Sequence, residues 1–287
     1  RFSDSVDFDP GRCTDLHISN GKEDAFILKY NSRGEYLWVK CFGGPGDDHV
    51  QDIALTGINR YTVTGMFSDS VSIDSQMLKA AGLQDIFIAR FDNKRKVQWV
   101  QSMGGSREDS CAGIIISKTG SIYISGTFGG AANFDPDTSS HTLKSQGSRD
   151  IFLAKYWSNG SLAWARGFKG SDHESAHDHI VDDRGGIYLT GAFTGTVNFD
   201  PSSTSHKMTA GSNDMFVAKH DSNGSHVWSF QLGWGKYETK TVLELDNFGK
   251  LWLGGGFNRL IDFDHGPGTA EFGNWEYRNK NSFFAAY

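Results

Sequence analysis

One short segment carries three histidines, a residue type that transition metals prefer as a ligand. The segment HESAHDH contains His173, His177 and His179. On an extended strand, residues two apart share a face, so His177 and His179 are expected to project together at a spacing that zinc accepts. Because no cysteine or fixed third ligand accompanies the pair, histidines lining a solvated channel are the favoured interpretation. A zinc site is the alternative.

A second pattern, an oxygen-bearing side chain at positions i and i+2, recurs in VDFDP, VSIDS, ANFDP, VNFDP and IDFDH. The pairs are Asp7 and Asp9, Ser72 and Asp74, Asn133 and Asp135, Asn198 and Asp200, and Asp262 and Asp264. Both oxygens could meet one hard cation, which makes the aspartates candidate calcium ligands. An Asx turn that ends the strand explains the same pattern, and proline after three of the pairs favours it. Calcium is the one cofactor that the sequence leaves open.

An acid also recurs at one aligned position, before the first strand of each repeat described below. These acids are Asp48, Asp109, Glu174 and Glu238. A carboxylate there can accept hydrogen bonds from turn N–H groups or pair with the neighbouring repeat, which is the favoured interpretation. A ring of metal sites is the alternative, although calcium needs six to eight clustered oxygens.

Four aromatic residues outside the repeated positions are candidate contacts for a sugar or a protein: Trp157, Trp234, Tyr237 and Trp275. Packing beneath a loop is the alternative for each of them. The chain contains no G-x-S-x-G, no H-E-x-x-H and no phosphate-binding glycine loop, so we assign no catalytic residue. A propeller hydrolase that uses two carboxylates remains the least favoured function.

Three aromatic markers keep one register along the chain, separated each time by 61, 65 and 64 residues. They are Trp38, Trp99, Trp164 and Trp228; Phe26, Phe87, Phe152 and Phe216; and Phe67, Phe128, Phe193 and Phe257. Such a fixed period indicates tandem structural repeats. A glycine two residues before each member of the third series is expected to let a neighbouring backbone approach closely.

Each repeat contains four runs with the composition of strands, for example CAGIIIS, SIYISGTF, DIFLAKY and LAWARGF. Short polar loops such as SNGSL join the third and fourth runs, as in antiparallel hairpins. Four antiparallel strands in about 60 residues are typical of a β-propeller blade. We predict one all-β domain over residues 1–287, with about five repeats at 1–47, 48–108, 109–173, 174–237 and 238–287. The outer two are incomplete, so either the ends share a composite blade, which we favour, or the chain is an arc of a larger propeller.

With these segments assembled, the chain resembles the bacterial SBBP-type β-propeller repeat. The resemblance runs through DAFILKYNSRGEYLWVKCFGGPGDD, DIFLAKYWSNGSLAWARGFKG and HIVDDRGGIYLTGAFTG. It implies a secreted or envelope-associated bacterial protein, often part of a longer chain, and no family-wide catalytic residues. LGWGKYETK and the insert from Asp264 to Asn281 depart from the pattern.

Net charge and hydropathy restrict the classes of partner that the chain can bind. The net charge is −6 with acids and bases intermixed, which disfavours nucleic acid and anionic membranes. No apolar stretch approaches the length of a spanning helix. We therefore expect a non-enzymatic, extracellular or envelope module whose loops bind a protein or a glycan. The alternative is a structural subunit that self-assembles through edge strands.

Overall fold

The computed structural model describes residues 1–11, 13–135, 141–203, 206–233, 240–257, 260–266, 268–273 and 281–287. All helix and strand structure within these residues is β-structure, which confirms the predicted all-β class. None of these residues forms a helix of the length and apolar character needed to cross a bilayer.

The strands follow the five repeats, here called units one to five. Unit one contains β1 (Ser5–Asp7), β2 (Leu16–Ile18), β3 (Ala25–Tyr30) and β4 (Tyr36–Phe42). Unit two contains β5 (Asp48–Leu55), β6 (Tyr61–Phe67), β7 (Ser70–Ile73), β8 (Gln76–Lys79), β9 (Asp85–Phe91) and β10 (Val97–Gly105). Unit three contains β11 (Ser110–Ile116), β12 (Ile122–Phe128), β13 (Ala131–Asn133), β14 (Thr142–Lys144), β15 (Asp150–Tyr156) and β16 (Leu162–Gly170). Unit four contains β17 (Glu174–Val181), β18 (Ile187–Asn198), β19 (Lys207–His220) and β20 (His226–Leu232). Unit five contains β21 (Val242–Leu245), β22 (Leu251–Phe257), β23 (Ile261–Asp262), β24 (Glu271–Phe272) and β25 (Asn281–Ala286).

Four long strands, called A to D in chain order, pair antiparallel in each of the three middle units. Their orders are β5-β6-β9-β10, β11-β12-β15-β16 and β17-β18-β19-β20. Unit one contributes the C–D pair β3-β4, and unit five the A–B–C set β21-β22-β25. The four-stranded repeat predicted from sequence is therefore present, with partial outer units.

A small hairpin between strands B and C was not predicted. It consists of β1-β2, β7-β8, β13-β14 and β23-β24, and in unit four it continues β18 and β19 directly. The hairpin also pairs with strand D of the preceding unit, as in Gly104 with Asn133 and Lys169 with Asn198. Units one to four are thus joined in succession by main-chain hydrogen bonds.

Core residues lie between neighbouring sheets, where the repeated aromatics are buried. The fully buried markers are Phe67, Phe87, Phe128, Phe152, Phe193 and Phe216. One apolar cluster includes Ile86 and Met103 of unit two together with Ile124 and Phe152 of unit three. Each phenylalanine ring removes roughly 150–250 Å² from water, at about 25 cal/mol per Å². Packing between units therefore supplies much of the stability.

The glycine predicted to allow close approach does so. A Cβ on Gly126 would overlap the carbonyl oxygen of Ser110 and the ring of Phe152, and one on Gly191 would overlap Ser175 and Phe216 in the same way. The Gly126 and Phe152 Cα atoms are cross-strand partners. Glycine thus makes room for the aromatic ring that covers strand B.

Strand A of each unit lies beside strand A of the next. Asp52 on β5 accepts a hydrogen bond from the N–H of Ile114 on β11 at 2.9 Å, and Asp178 on β17 accepts one from Leu243 on β21 at 2.8 Å. A bulge in each strand precedes these acids or their equivalent, Gly113. In the described residues, no strand pair joins unit one to unit five.

Candidate functional site

The A–B and C–D turns lie at the same end of every sheet, because consecutive strands run antiparallel. At this end a groove of about 890 Å³ is lined by the A–B turns of units three, four and five. We call it the turn-end groove; its principal side chains are Lys118, Asp183, Arg184, Tyr188, Glu244 and Phe248. Three consecutive units therefore build one surface.

In two of these turns, an aspartate side chain stabilises the backbone conformation. Asp182 Oδ1 accepts hydrogen bonds from the N–H groups of Arg184 and Gly186, at 2.9 and 2.7 Å. Asp246 Oδ1 accepts them from Phe248 and Lys250, both at 2.9 Å. This is Asx-turn chemistry, in which a short side chain replaces a backbone acceptor. The turns therefore present their central side chains in fixed positions.

Charged side chains of both signs line the groove. Lys118 Nζ of unit three lies 2.6 Å from Asp183 Oδ2 of unit four, which links two adjacent turns. Lys219 Nζ donates to the Tyr188 hydroxyl at 2.6 Å and lies 3.7 Å from Asp182 Oδ2. The surface pair contributes little stability, since such pairs are worth about 0–1 kcal/mol.

Phe248 is the most exposed large apolar residue of the described chain, at 97% of its surface. It occupies the third position of its A–B turn and is followed by Gly249, whose φ of +81° closes the turn. Ile58, at the same position of unit two, is also exposed but lies outside the groove. Phe248 therefore places an exposed apolar ring beside the charged side chains of the groove.

Of the four aromatic candidates, the structure describes Trp157; Trp234, Tyr237 and Trp275 lie outside the described residues. Trp157 begins the C–D turn of unit three, is 50% exposed, and has Lys155 Nζ 5.2 Å from the centre of its ring. It is at the same end of the sheets as the groove but does not line it. Its exposure leaves a role in ligand contact open, and that role stays a prediction.

His177 and His179 do not share a face in the structure. The bulge between Ala176 and Asp178 leaves His177 without a cross-strand partner and reverses the alternation of side chains at this point. His177 Nδ1 lies 3.1 Å from Thr241 Oγ1 in unit five. The His179 ring instead contacts unit three, where its nitrogens bond Ser125 Oγ and the carbonyl of Tyr123.

Both imidazoles of this pair are kept neutral. Burial lowers the pKa of His177 and that of His179 to about 4 in each case. His173, the third histidine of the segment, lies before β17 and is exposed, and partial desolvation together with nearby Arg149 lowers its pKa as well. His177 and His179 therefore join unit four to each of its neighbours, and the zinc position that was the alternative interpretation is not formed by these two rings.

Four of the five oxygen pairs form Asx turns at the ends of the strands. In the fifth, Ser72 donates to the carbonyl of Asp74, whose carboxylate contacts Lys40 and the Val97 N–H. Asp7 Oδ1 accepts from the N–H groups of Asp9 and Asp15, and Asp262 Oδ1 from those of Asp264 and Ala270. The remaining contacts follow the same rule: Asp9 accepts from Gly11, Asp264 from Gly266, Asn133 from Asp135, and Asn198 from Asp200. This is the favoured interpretation of the pattern, while calcium binding stays a prediction.

The repeated acid before strand A is buried beside the acid that begins strand C of the preceding unit. Asp109 accepts hydrogen bonds from Gly105 and Gly129, at 2.8 and 3.0 Å. Burial raises the pKa of Asp109 to about 7, and nearby Asp85 adds to the effect. In unit four, burial raises the pKa of Glu174, and the neighbouring Asp150 carboxyl adds to the effect. The described acids of this series therefore bind turn N–H groups or pair with a second carboxyl; Glu238 lies outside the described residues.

Sequence reasoning missed the groove itself. Its residues come from turns about 65 residues apart, and none of them forms a recognisable motif alone. An alignment of the turns TGINR, SKTGS, DDRGG and DNFGK could have indicated it. At the third position, Arg184 and Phe248 stand where the other two turns have Ile58 and Thr119.

Comparison with known proteins identifies distant relatives of part of the chain. No family model matches. Over 178 residues, 56% of the chain, it is 28% identical to the uncharacterized WD repeat-containing protein L264 of Acanthamoeba polyphaga mimivirus. Over 166 residues, 55% of the chain, it is 27% identical to the regulatory protein FlaEY of Caulobacter vibrioides.

The chain spans only 13% and 16% of the lengths of these two relatives. A solved structure of a protein of unknown function from Bacteroides caccae aligns with a TM-score of 0.42 at 8% identity, covering 89% of this chain and 72% of that one. The relatives are named as a repeat protein and a regulatory protein, and neither name is that of an enzyme. The chain is a tandem-repeat, all-β protein.

Proposed function

We propose that the units are blades of a β-propeller and that the chain is a non-enzymatic, extracellular interaction module. Its partner would be a protein bound at the turn-end groove. The observation that carries the proposal is Phe248, an almost fully exposed ring fixed by an Asx turn beside charged side chains of neighbouring units.

The propeller arrangement is supported by the contacts between successive units. Strands A lie side by side, linked through Asp52 and Asp178, while strand D of one unit pairs with the hairpin of the next. A propeller places strand A nearest its axis, so the turn-end groove would lie at the mouth of the central channel. The WD-repeat name of one relative agrees with this arrangement. The resemblance to the SBBP-type repeat favours a secreted bacterial protein.

A protein partner suits the groove better than a glycan because the charges are of both signs. Lys118, Arg184 and Glu244 can form ion pairs with a complementary surface, while neutral sugar hydroxyls gain less from them. Phe248 provides the apolar anchor that commonly dominates the affinity of a protein interface.

The carboxylates of the groove suit recognition better than catalysis. Asp246 accepts hydrogen bonds from Lys250, Phe248 and Trp252, and those bonds lower its pKa. Asp182 is likewise engaged with turn N–H groups. A general acid needs a raised pKa and access to the leaving group, and the lowered pKa of Asp246 does not fit that role.

The test is selection of binders from a displayed peptide library, with a glycan array screened in parallel. Phe248→Ala and Arg184→Ala are expected to weaken binding of the selected peptides by tenfold or more. Ile58→Ala changes the same turn position outside the groove and should leave binding intact. Binders indifferent to Phe248 and Arg184, or binding confined to the glycan array, would overturn the proposal.

A second candidate function, self-assembly through edge strands, is favoured by β25. Phe284 on this strand is 74% exposed. An exposed hydrophobic strand can pair with a strand of another molecule. Analytical ultracentrifugation over a range of concentrations tests this: ordered oligomers that Phe284→Lys abolishes would support it, and a monomer at all concentrations would reject it.

The proposed propeller is either a closed ring or an open arc of units. A five-bladed ring brings unit five next to unit one, whereas an arc of a larger propeller separates them. The distance between spin labels on the exposed residues Leu37 and Phe284 distinguishes the two, with a short, narrow distribution expected for the ring.

A further inference from the structure

Three side chains with metal-binding atoms converge at one corner of unit four. Asp200 follows β18, His206 precedes β19 and His226 begins β20. Asp200 Oδ2 lies 3.3 Å from His206 Nδ1, and the two histidine rings are 4.2 Å apart between centroids. One ligand atom from each residue lies within 4.8 Å of the other two. In the described chain, no other set of three such residues meets this condition.

Comparison with unit three shows that the fold does not require these histidines. Asp135 and His141 occupy the positions of Asp200 and His206, but Leu162 stands where unit four has His226. Leu162 begins strand D there and joins the apolar core. The second histidine is therefore a specific feature of unit four, placed where another unit uses an apolar residue.

A fourth histidine supplies an independent observation. His220 is fully buried, and neither of its ring nitrogens has a hydrogen-bond partner among the described residues. Its ring lies 5.9 Å from that of His226 and 4.7 Å from Phe168. The equivalent residue in unit three is Tyr156, whose hydroxyl donates to the Phe134 carbonyl at 2.8 Å.

Unit four therefore has an imidazole without a hydrogen-bond partner among the described residues where unit three has a hydrogen-bonded tyrosine hydroxyl. A buried polar group without a partner costs about 1–3 kcal/mol. No described contact of His220 offsets this cost, so the fold alone does not explain the residue. Its position next to His226 makes it available to a group bound at the corner.

We propose that Asp200, His206 and His226 bind a divalent transition metal ion of the zinc class, with His220 beside it. Two imidazoles and one carboxylate form a donor set that zinc accepts, with a coordination position left for water or another ligand. The site differs from the calcium ligands inferred from the Asn198 and Asp200 spacing, because nitrogen donors favour the zinc class over calcium.

Neighbouring hydroxyl groups hold the proposed ligands in place. Asp200 Oδ1 accepts hydrogen bonds from the Ser202 N–H at 3.0 Å and the Ser202 hydroxyl at 2.6 Å, which leaves Oδ2 directed to His206. His226 Nε2 lies 3.0 Å from Ser229 Oγ. Such outer contacts orient the ligands of a metal site. His206 is exposed, which gives an ion access from solvent.

An ion pair between Asp200 and His206 is the competing explanation. It accounts for those two residues, and it predicts that binding is unaffected when His226 is changed. It does not account for the second histidine ring, that of His226, or for buried His220. The metal site explains all four residues together.

The experiment is titration of the untagged, chelator-treated chain with zinc chloride by calorimetry, together with absorption spectra of the cobalt(II)-loaded protein. We expect one zinc per chain, a higher Tm with zinc, and the intense visible bands of four-coordinate cobalt. His226→Leu copies the residue of unit three and so should fold; it and Asp200→Asn should weaken zinc binding at least tenfold and abolish the Tm increase.

His141→Ala is the matched control, since it removes an exposed histidine equivalent to His206 in a unit without the second ring. It should leave the zinc titration unchanged. No binding by the wild-type chain, or zinc binding and cobalt spectra retained in both His226→Leu and Asp200→Asn, would overturn the proposal.

Discussion

The indole Nε1 of Trp99 donates a hydrogen bond of 3.2 Å to the carbonyl oxygen of Ser158, across the boundary between units two and three. One unit later, Trp164 makes the same contact with Ser222 at 3.3 Å. The turn that supplies the acceptor also places a glycine, Gly160 or Gly224, against the indole ring. The tryptophan markers of units two and three thus contact the C–D turn of the next unit.

Removal of this tryptophan should destabilise the chain. We expect Trp164→Ala to lower the free energy of unfolding by about 3–5 kcal/mol, because Trp164 is 8% exposed. Trp164→Phe keeps much of the ring and loses the hydrogen bond, worth about 1 kcal/mol. Urea unfolding measures both. Trp157→Ala, on an exposed ring, should stay within about 0.5 kcal/mol; an equal loss there would contradict the assignment.

Stability should depend on pH through the buried acid Asp48. Burial raises the pKa of Asp48 to about 7 in the folded chain, whereas an unfolded chain releases this proton near pH 4. Between pH 4 and pH 7 this carboxyl binds more protons in the folded state than in the unfolded state. The group therefore makes the free energy of unfolding fall as pH rises. The size of the effect is about 1.4 kcal/mol for each pKa unit by which the two states differ.

The variant Asp48→Asn isolates that contribution. Its amide oxygen can still accept the Gly44 N–H, which the carboxylate accepts at 2.7 Å. We expect the difference in unfolding free energy between variant and wild type to grow in favour of the variant from pH 4 to pH 7. Chemical denaturation at a series of pH values measures it, and a difference that is constant with pH would show that Asp48 does not titrate in this range.

Gly126 should not tolerate a methyl group. Gly126→Ala places a Cβ against the Ser110 carbonyl and the Phe152 ring, and overpacking of this kind costs about 1–3 kcal/mol. Gly254 is the control: the nearest atom to its Cβ would be 3.3 Å away, so Gly254→Ala should cost under about 1 kcal/mol. Thermal unfolding of the two variants compares them, and the reverse order of Tm would refute the packing argument.

The Asx turns and the calcium alternative differ in what they predict for Asp7. A turn needs an acceptor oxygen, so Asp7→Asn should be tolerated, as Asn133 and Asn198 are in other units. Asp7→Ala should cost about 1 kcal/mol. We expect millimolar calcium to leave the Tm of all three proteins unchanged. A calcium-dependent rise in Tm that Asp7→Asn removes would instead establish a calcium site.

The strands of this fold could be predicted because the aromatic markers repeat with the sheets. The B–C hairpin could not, since short segments such as QMLK and TLK carry no alternation of apolar and polar residues. His177 and His179 were expected on one face, and a single bulged residue separates them. The turn-end groove and the cluster of Asp200, His206 and His226 were not predicted for the same reason. Each consists of residues separated in sequence that only the pairing of strands brings together.

The pairing of each strand D with the next hairpin has a consequence for the history of the chain. Gly104 and Gly105 meet Asn133 and Ala132 across one boundary, and Lys169 and Gly170 meet Asn198 and Val197 across the next. Units two and three therefore carry both halves of the same joint, one at each side. A duplicated unit inserted in tandem would find matching halves on its neighbours, so the gene can lengthen or shorten by whole units without the evolution of a new interface.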